Sequence, residues 1–555
     1  MRLPDELLGM IFLHYVSLHT NLPDAPLTTT EPALVCSDVF KMLYITHICQ
    51  RWRALSIGMP RLWTCVPMTP HLECLHAFLE RSQTLALSVL PHTSEHADII
   101  RCRSLVALSG SLARVRSLAL RISRPLLHSL LELGEETHDP CLPKLEELEL
   151  IYYGGYDHLS CPTFWFFSKA AMPGLRTLRT YLFSFAFTRG LVRDTLTRLM
   201  VTTRDESSED QWIELLKQVP VLEMLAIEGL SFTGITNPEN FNIEPVPSHT
   251  LIPMHHLQRF MTYENHCSIL SSRLLNRLEV PASCSVFLSV DSVQFDFPLE
   301  CYSSLFRVLG AKMVGNGSVG GPAQPAAMAV SFFLGQVGLW SSANLDRDLS
   351  YMGSPDAKND DHDYDIDLHA SVLPNTDVEW PPVLQKALRE GGLPLSSLTS
   401  LTIEGFSHME HETWAWLFGC THLQTLCILN DHCDESPGND YSRLLLALAG
   451  ATPPFPELQF VRLENVAFRP SPPPHDTPPP HTSLTALFDR FLDTRRHAGH
   501  PIEELRLVEV RDVQDDDLAW LQARSQGQTT KISWTRFEED EDEVEVEENE
   551  KGDAE

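Results

Sequence analysis

The feature that most restricts how this chain folds is a spaced apolar triplet, L-x-x-L-x-L, which returns nine times between Val115 and Leu507. Its central residues are Leu118, Leu148, Leu199, Leu225, Leu278, Leu401, Leu426, Val461 and Leu505, and partial copies start at Leu175 and Leu257. The last two apolar positions of each copy alternate, as a strand with one buried face requires. Segments upstream, such as Gln211 to Val219, carry apolar residues at helical spacing instead. A unit of helix, turn and strand cannot bury its apolar face alone, so such units must stack with their strands in parallel. This pattern explains why 82 of 555 residues are leucine while only 27 are glycine.

The triplet is the strand signature of a leucine-rich repeat. Steps between central positions run 30, 30, 21 and 26 residues from Leu118 to Leu225, counting the partial copy at Leu178. The expected fold is therefore α/β: an irregular solenoid over residues 67–536, with a curved parallel sheet along one side. Strands at Leu148, Leu225, Leu278, Leu401, Leu426 and Leu505 are expected to share one continuous sheet, with Glu149 and Glu228 exposed beside the buried leucines. Between Leu278 and Leu401 the triplet is lost, yet SVFLSV, AVSFFLG and DYDIDLHA read as strands that extend the ladder. Loops interrupt it near 315–327, 353–365 and 469–482, the last rich in proline and so extended and solvated. Two separate α/β domains are the alternative arrangement.

Charge narrows the partners. The formal net charge is -32, from 74 acids against 42 bases, which opposes any general affinity for nucleic acid or an anionic membrane. The segment Glu538 to Glu555 holds 12 of those acids and one lysine, and residues 537–555 are expected to be a disordered acidic tail. Thirteen cysteines without a C-x-x-C pair suit reduced thiols, hence the cytoplasm, the nucleus or both. Asp5 and Glu6 interrupt what a secretion signal would need to be apolar. The longest apolar run, Ala326 to Trp340, is shorter than the roughly 20 residues that cross a bilayer, so no membrane span is expected.

Catalytic and metal motifs are weak. Gly315, Gly317 and Gly320 satisfy G-x-G-x-x-G, but Pro322 and Pro325 oppose the helix that would face a phosphate. Asp361, Asp363, Asp365 and Asp367 alternate without the glycine and closing acid of a calcium loop. Cys420, His422, Cys427, His432 and Cys433 lack paired zinc spacing, and His408 with His411 lacks the H-E-x-x-H order. Neither a nucleophile elbow nor a phosphate-binding loop is present. The expectation is a non-enzymatic chain with no catalytic residue, metal ligand or cofactor.

The N-terminus follows other rules. Pro4, Asp5 and Glu6 suit the first turn of a helix. Leu7, Leu8, Ile11, Phe12, Tyr15 and Val16 then form one apolar stripe, ended by the Pro/Thr-rich interval before Ser37. Ser37 suits the cap of a second helix carrying Phe40, Leu43, Tyr44, Ile48, Trp52 and Leu55, up to the break at Gly58 and Pro60. Together LPDELLGMIF, ICQRWRAL and MPRLWTCV resemble the F-box, a small helical module that docks on a Skp-type adaptor. Leu3, Pro4, Glu6, Leu7, Leu8, Ile11, Phe12, Ile48, Cys49, Arg51, Trp52, Arg53, Pro60, Leu62 and Trp63 carry the resemblance, within residues 1–66. Ser17 to Asp38 departs from it, being longer than the compact pattern.

The chain as a whole is similar to fungal, basidiomycete-type F-box proteins with degenerate leucine-rich repeats. The resemblance implies that Leu3, Pro4, Glu6, Leu7, Leu8, Ile11, Phe12, Ile48, Trp52, Leu62 and Trp63 bind the adaptor. It further implies a substrate-recognition subunit of an SCF-type ubiquitin ligase, joined through the adaptor to a cullin-RING ligase. An unidentified target protein would sit on the solenoid, and other chains would transfer the ubiquitin. The alternative is a repeat scaffold that is not coupled to ubiquitylation.

Overall fold

The alternating leucines form strands that pair in parallel, giving an α/β structure with no closed barrel among the described residues. The computed structural model describes residues 3–20, 36–69, 71–90, 98–122, 142–152, 167, 170–203, 207–228, 250–264, 273–281, 284–290, 307–308, 328–333, 336–341, 398–404, 420–429, 441–450, 455–468, 483–525 and 530–536. The chain divides into two units, residues 1–312 with 343–374, and residues 313–342 with 375–555.

In the first unit a parallel ladder runs through β1 (Cys65–Pro67), β2 (Leu87–Leu90), β3 (Val115–Ile122), β4 (Glu147–Tyr152), β5 (Thr177–Tyr181), β6 (Arg198–Thr202) and β7 (Met224–Glu228). It continues through β9 (Arg259–Glu264) and β11 (Ser285–Val290). The register puts Leu118, Leu148, Leu178, Leu199, Leu225 and Phe260 in one row. All six are buried. Because side chains alternate across a strand, keeping this row inward fixes the register of every neighbour. Where the next inward row meets a polar residue it is satisfied: the buried hydroxyls of Thr180 and Thr188 pair at 3.0 Å.

A turn closes ahead of each strand. The amide of Leu145 donates to the carbonyl of Leu142, Leu175 to Met172, Leu196 to Arg193, Leu222 to Val219 and Leu257 to Met254, all at 3.0–3.2 Å. Pro143, Pro173 and Pro220 occupy the second position of three of these turns, where the fixed φ of proline suits the geometry and no donor is needed. The expected helix near Gln211 is observed at Glu209–Leu216, with a capping box between Ser208 and Gln211.

Some expectations are corrected. Leu278 does not join the ladder; it lies on β10 (Leu278–Glu279), which pairs with β8 (Ile252–Pro253) in a separate two-stranded sheet. The ladder position goes to the partial copy at Leu257, whose strand β9 buries Phe260, and then to SVFLSV as β11. An aromatic residue fills the leucine's place because burial, not residue identity, sets the row. The partial copy at Leu175 likewise supplies β5. β1 and β2 extend the ladder upstream of the first triplet.

In the second unit β12 (Met328–Phe333) and β13 (Gln336–Ser341) pair antiparallel. β12 also starts a parallel run through β14 (Leu398–Glu404), β15 (Thr425–Leu429), β16 (Phe460–Glu464), β17 (Glu504–Val510) and β18 (Lys531–Arg536). AVSFFLG is thus a strand, though also half of a hairpin. Leu401, Leu426, Val461, Leu505 and Ile532 form the buried row. Helices Ser442–Leu448, Leu484–His497 and Asp515–Ser525 lie between these strands in sequence.

The loops at 315–327, 353–365 and 469–482, the segment DYDIDLHA and the acidic tail lie outside the described residues. So do the Gly315 to Gly320 motif, Asp361 to Asp367, His408 with His411, and His432 with Cys433. No described helix is long and apolar enough to cross a membrane.

Candidate functional site

Three helices precede the first strand: α1 (Asp5–Thr20), α2 (Cys36–Ile48) and α3 (Gln50–Ile57). Asp5 and Glu6 occupy the first turn of α1, where the helix dipole favours acids. Arg51 on α3 donates from Nη2 to Asp5 Oδ1 at 2.6 Å and to the carbonyl of Leu3 at 2.5 Å, which tethers the two helix starts. The pair is largely exposed and is worth under about 1 kcal/mol.

Two neighbouring stripes on α1 have different fates. Leu8, Phe12 and Val16, at successive i, i+4 steps, are buried. Phe12 meets the ring of Trp52 at 4.9 Å. Gly9 packs closely against Met59, whose Cε would lie 3.0 Å from a Cβ at this position. Leu7, Met10 and Ile11 form the adjacent stripe, with Leu3 just ahead of the helix, all 46% to 66% exposed. On α2, Tyr44 and Ile48 are exposed one turn apart, at 67% and 59%. Six large apolar side chains are thus open to solvent on or just ahead of these helices, and contiguous apolar surface of this kind is what partners cover.

The sequence-nominated residues therefore divide by environment. Leu3, Pro4, Glu6, Leu7, Ile11 and Ile48 face solvent, Trp52 is half-buried, and Leu8, Phe12, Leu62 and Trp63 are interior. Met10 and Tyr44 were not among the nominated adaptor residues, although Tyr44 was placed on the apolar stripe of the second helix and the helical spacing of Met10 to Leu7 is a usable signal. Trp63 joins the helices to the ladder. Its Nε1 donates to the carbonyl of Ser56 at 2.9 Å, its ring meets Phe78 edge-on at 5.2 Å, and the Arg81 guanidinium lies 4.2 Å over it. The chain enters β1 two residues later, so these helices are fixed to the first strands without a free linker.

The second candidate is the sheet face opposite the leucine rows of the first unit. Between β3 and β6 a cavity of about 70 Å³ is lined by Ser117, Ala119, Glu147, Leu148, Glu149, Thr177, Arg179 and Arg198. Glu147 has Ser117 and Thr177 as its direct register partners on either side. Glu149 lies beside Arg179, with 3.6 Å between carboxylate and guanidinium. Glu149 was expected to be exposed, yet 23% of its side chain meets solvent. Burial pushes its carboxyl above the usual carboxylate range, against the opposing pull of Arg179 and Arg121. Glu228 is also half-buried and accepts from Thr202 Oγ1 at 2.8 Å. From β6 onward the row of Glu149 and Arg179 continues through Met200, Ala226 and Met261, all buried.

Cys420 and Cys427 are buried, and burial pushes the Cys284 and Cys420 thiols up to about 12. His422 is exposed and its Nδ1 meets Glu457 Oε1 at 2.8 Å. No group of three or more metal-ligating side chains occurs among the described residues.

No protein-family model matches this sequence, and no curated protein is significantly similar to it.

Proposed function

We propose that this chain is the substrate-recognition subunit of an SCF-type ubiquitin ligase, with an F-box at its N-terminus and a leucine-rich solenoid behind it. The observation that carries the reading is the pair of stripes on α1. Leu8 and Phe12 hold the module together, while Leu3, Leu7, Met10 and Ile11 are left for a Skp-type adaptor. The F-box motif in the sequence supplies the identity of that partner. The ladder supports the second half of the reading, because stacked parallel strands offer a long face to a target protein. Function is then geometric: the chain holds a target near a cullin-RING ligase whose other subunits transfer ubiquitin, and raises its effective concentration there. The chain itself is non-catalytic and acts in the cytoplasm, the nucleus or both.

Co-purification with a Skp-type adaptor tests the reading. Buried interface anchors commonly cost about 2 kcal/mol or more on truncation, so Leu7→Ala with Ile11→Ala should weaken adaptor binding by at least roughly tenfold. A folded double variant that binds the adaptor as well as the parent overturns it. Adaptor binding with no ubiquitylation of any captured protein would favour the scaffold reading.

A further inference from the structure

The ladder of the second unit ends on β18, and among the described residues no strand pairs with its far side. The amide of Lys531 donates to the carbonyl of Glu503 at 2.8 Å. In a parallel ladder alternate residues turn both backbone groups to the same neighbour, so Ile532 and Trp534 present N–H and C=O to the open side. Their side chains lie on the inward rows, beside Leu505 and Leu507. Ile532 is buried, whereas Trp534 at the end of its row is only half-buried. A bare edge of this kind is a template for another strand, and folded proteins cover or blunt it.

Residues 537–555 follow β18 directly, so an occupant starts where the edge ends. Val544 and Val546 are the only large apolar residues after Phe537, and they alternate with Glu543, Glu545 and Glu547. That is the period of a strand with one apolar face. The five residues 537–541 suffice for a hairpin connection. An antiparallel return with that connection sets Val544 opposite Trp534, Val546 opposite Ile532, Glu545 opposite Ser533 and Glu547 opposite Lys531. A connection one residue shorter or longer turns both valines to the outer face. Charge agrees with the first register. Lys531 is 70% exposed and meets Glu504 on its β17 side at 3.1 Å, which leaves its other side to a second acid. Arg506, exposed in the row of Ser533, adds positive charge to the face that Glu545 joins. We infer that residues 542–547 form the next strand, antiparallel to β18, and close the edge of the ladder. Val544 and Val546 extend the inward rows over Trp534 and Ile532, while the alternate acids face water and Lys531. Acids are poor strand formers and the segment is too charged to fold alone, but a preformed edge supplies the backbone partners that it lacks. The ladder then offers no edge to a second chain.

Amide hydrogen exchange of the full chain tests this, read residue by residue by mass spectrometry with electron-transfer fragmentation. In the parent, the amides of Ile532 and Trp534 should exchange at least roughly tenfold more slowly than in Val544→Pro, which removes the N–H that faces Trp534. Asn549→Pro, beyond the strand, should leave both amides as they are in the parent. Both changes lie in the tail, so exchange at Leu463, two strands away from β18, should be the same in all three proteins. Free exchange of Ile532 and Trp534 in the parent, or protection that survives Val544→Pro, overturns the inference. Protection in the parent that vanishes on dilution would assign the edge to a second copy of the chain, and overturns it as well.

Discussion

Arg495 donates from Nη1 to the carbonyl of Phe455 and from Nη2 to the carbonyl of Leu458, each at 2.8 Å, while almost wholly buried. Its helix, Leu484–His497, thereby grips the turn that leads into β16. Phe455 adopts φ +57°, a conformation that L residues with a bulky side chain hold only when their surroundings enforce it. Burial pushes the guanidinium down to about 10, yet it remains charged at neutral pH.

Removing that grip takes a charged donor from both carbonyls; that of Phe455 keeps only the amide of Leu458, at 3.0 Å. Arg495→Met, which keeps most of the volume, should cost about 2–4 kcal/mol in urea unfolding, with amide exchange rising first around Phe455 to Leu458. A loss below about 0.5 kcal/mol would mean that the carbonyls find other donors.

The two stripes on α1 should separate stability from docking. Phe12→Ala removes a buried ring that meets Trp52 at a tilt and should cost about 3–5 kcal/mol. Leu7→Ala and Ile11→Ala, both exposed, should each change stability by less than about 0.5 kcal/mol. Thermal melts of the three single variants check this, and comparable destabilisation by all three would place Leu7 and Ile11 in the core.

Leu225 lies between Leu199 and Phe260 in the buried row of the first ladder. Leu225→Ala should cost about 2–5 kcal/mol, and exchange should rise first in β6 and β9 because stacked strands depend on their neighbours. Uniform loosening of every strand in that unit would indicate one cooperative block instead.

Glu149 sets a pH dependence. Its folded carboxyl is raised, mainly by burial, so the native state holds the proton more tightly than the unfolded chain does. The associated stability is present at low pH and is lost as pH rises from the unfolded value, about 4.3, through the folded one. The stability of the parent minus that of Glu149→Gln should therefore fall with rising pH across this window and then level off. A rise would show that the Arg179 pair outweighs desolvation.

Local pattern alone determined a good deal. Alternation at Leu148, Leu225 and Leu505 specified strands, because a period of two has only one way to bury its face. Apolar spacing from Leu7 to Val16 specified α1. What the pattern leaves open is which units become neighbours. Leu278 satisfies the triplet and still pairs with Ile252 outside the ladder, while Phe260 takes a place that no leucine marks. The stripe on α1 was legible, but not which half of it the fold would bury; Leu8 and Leu7 are neighbours in sequence, yet one is buried and the other exposed. The cavity beside Glu147 was not legible at all, since Ser117, Glu147 and Thr177 are about 30 residues apart and meet only through strand register. Arg495 reads as one more charge on a helix until a turn some 40 residues earlier places two carbonyls beside it. Periodicity is a property of neighbours along the chain, and it decides elements; pairing, burial and charge compensation are properties of neighbours in space, and only the tertiary structure decides them.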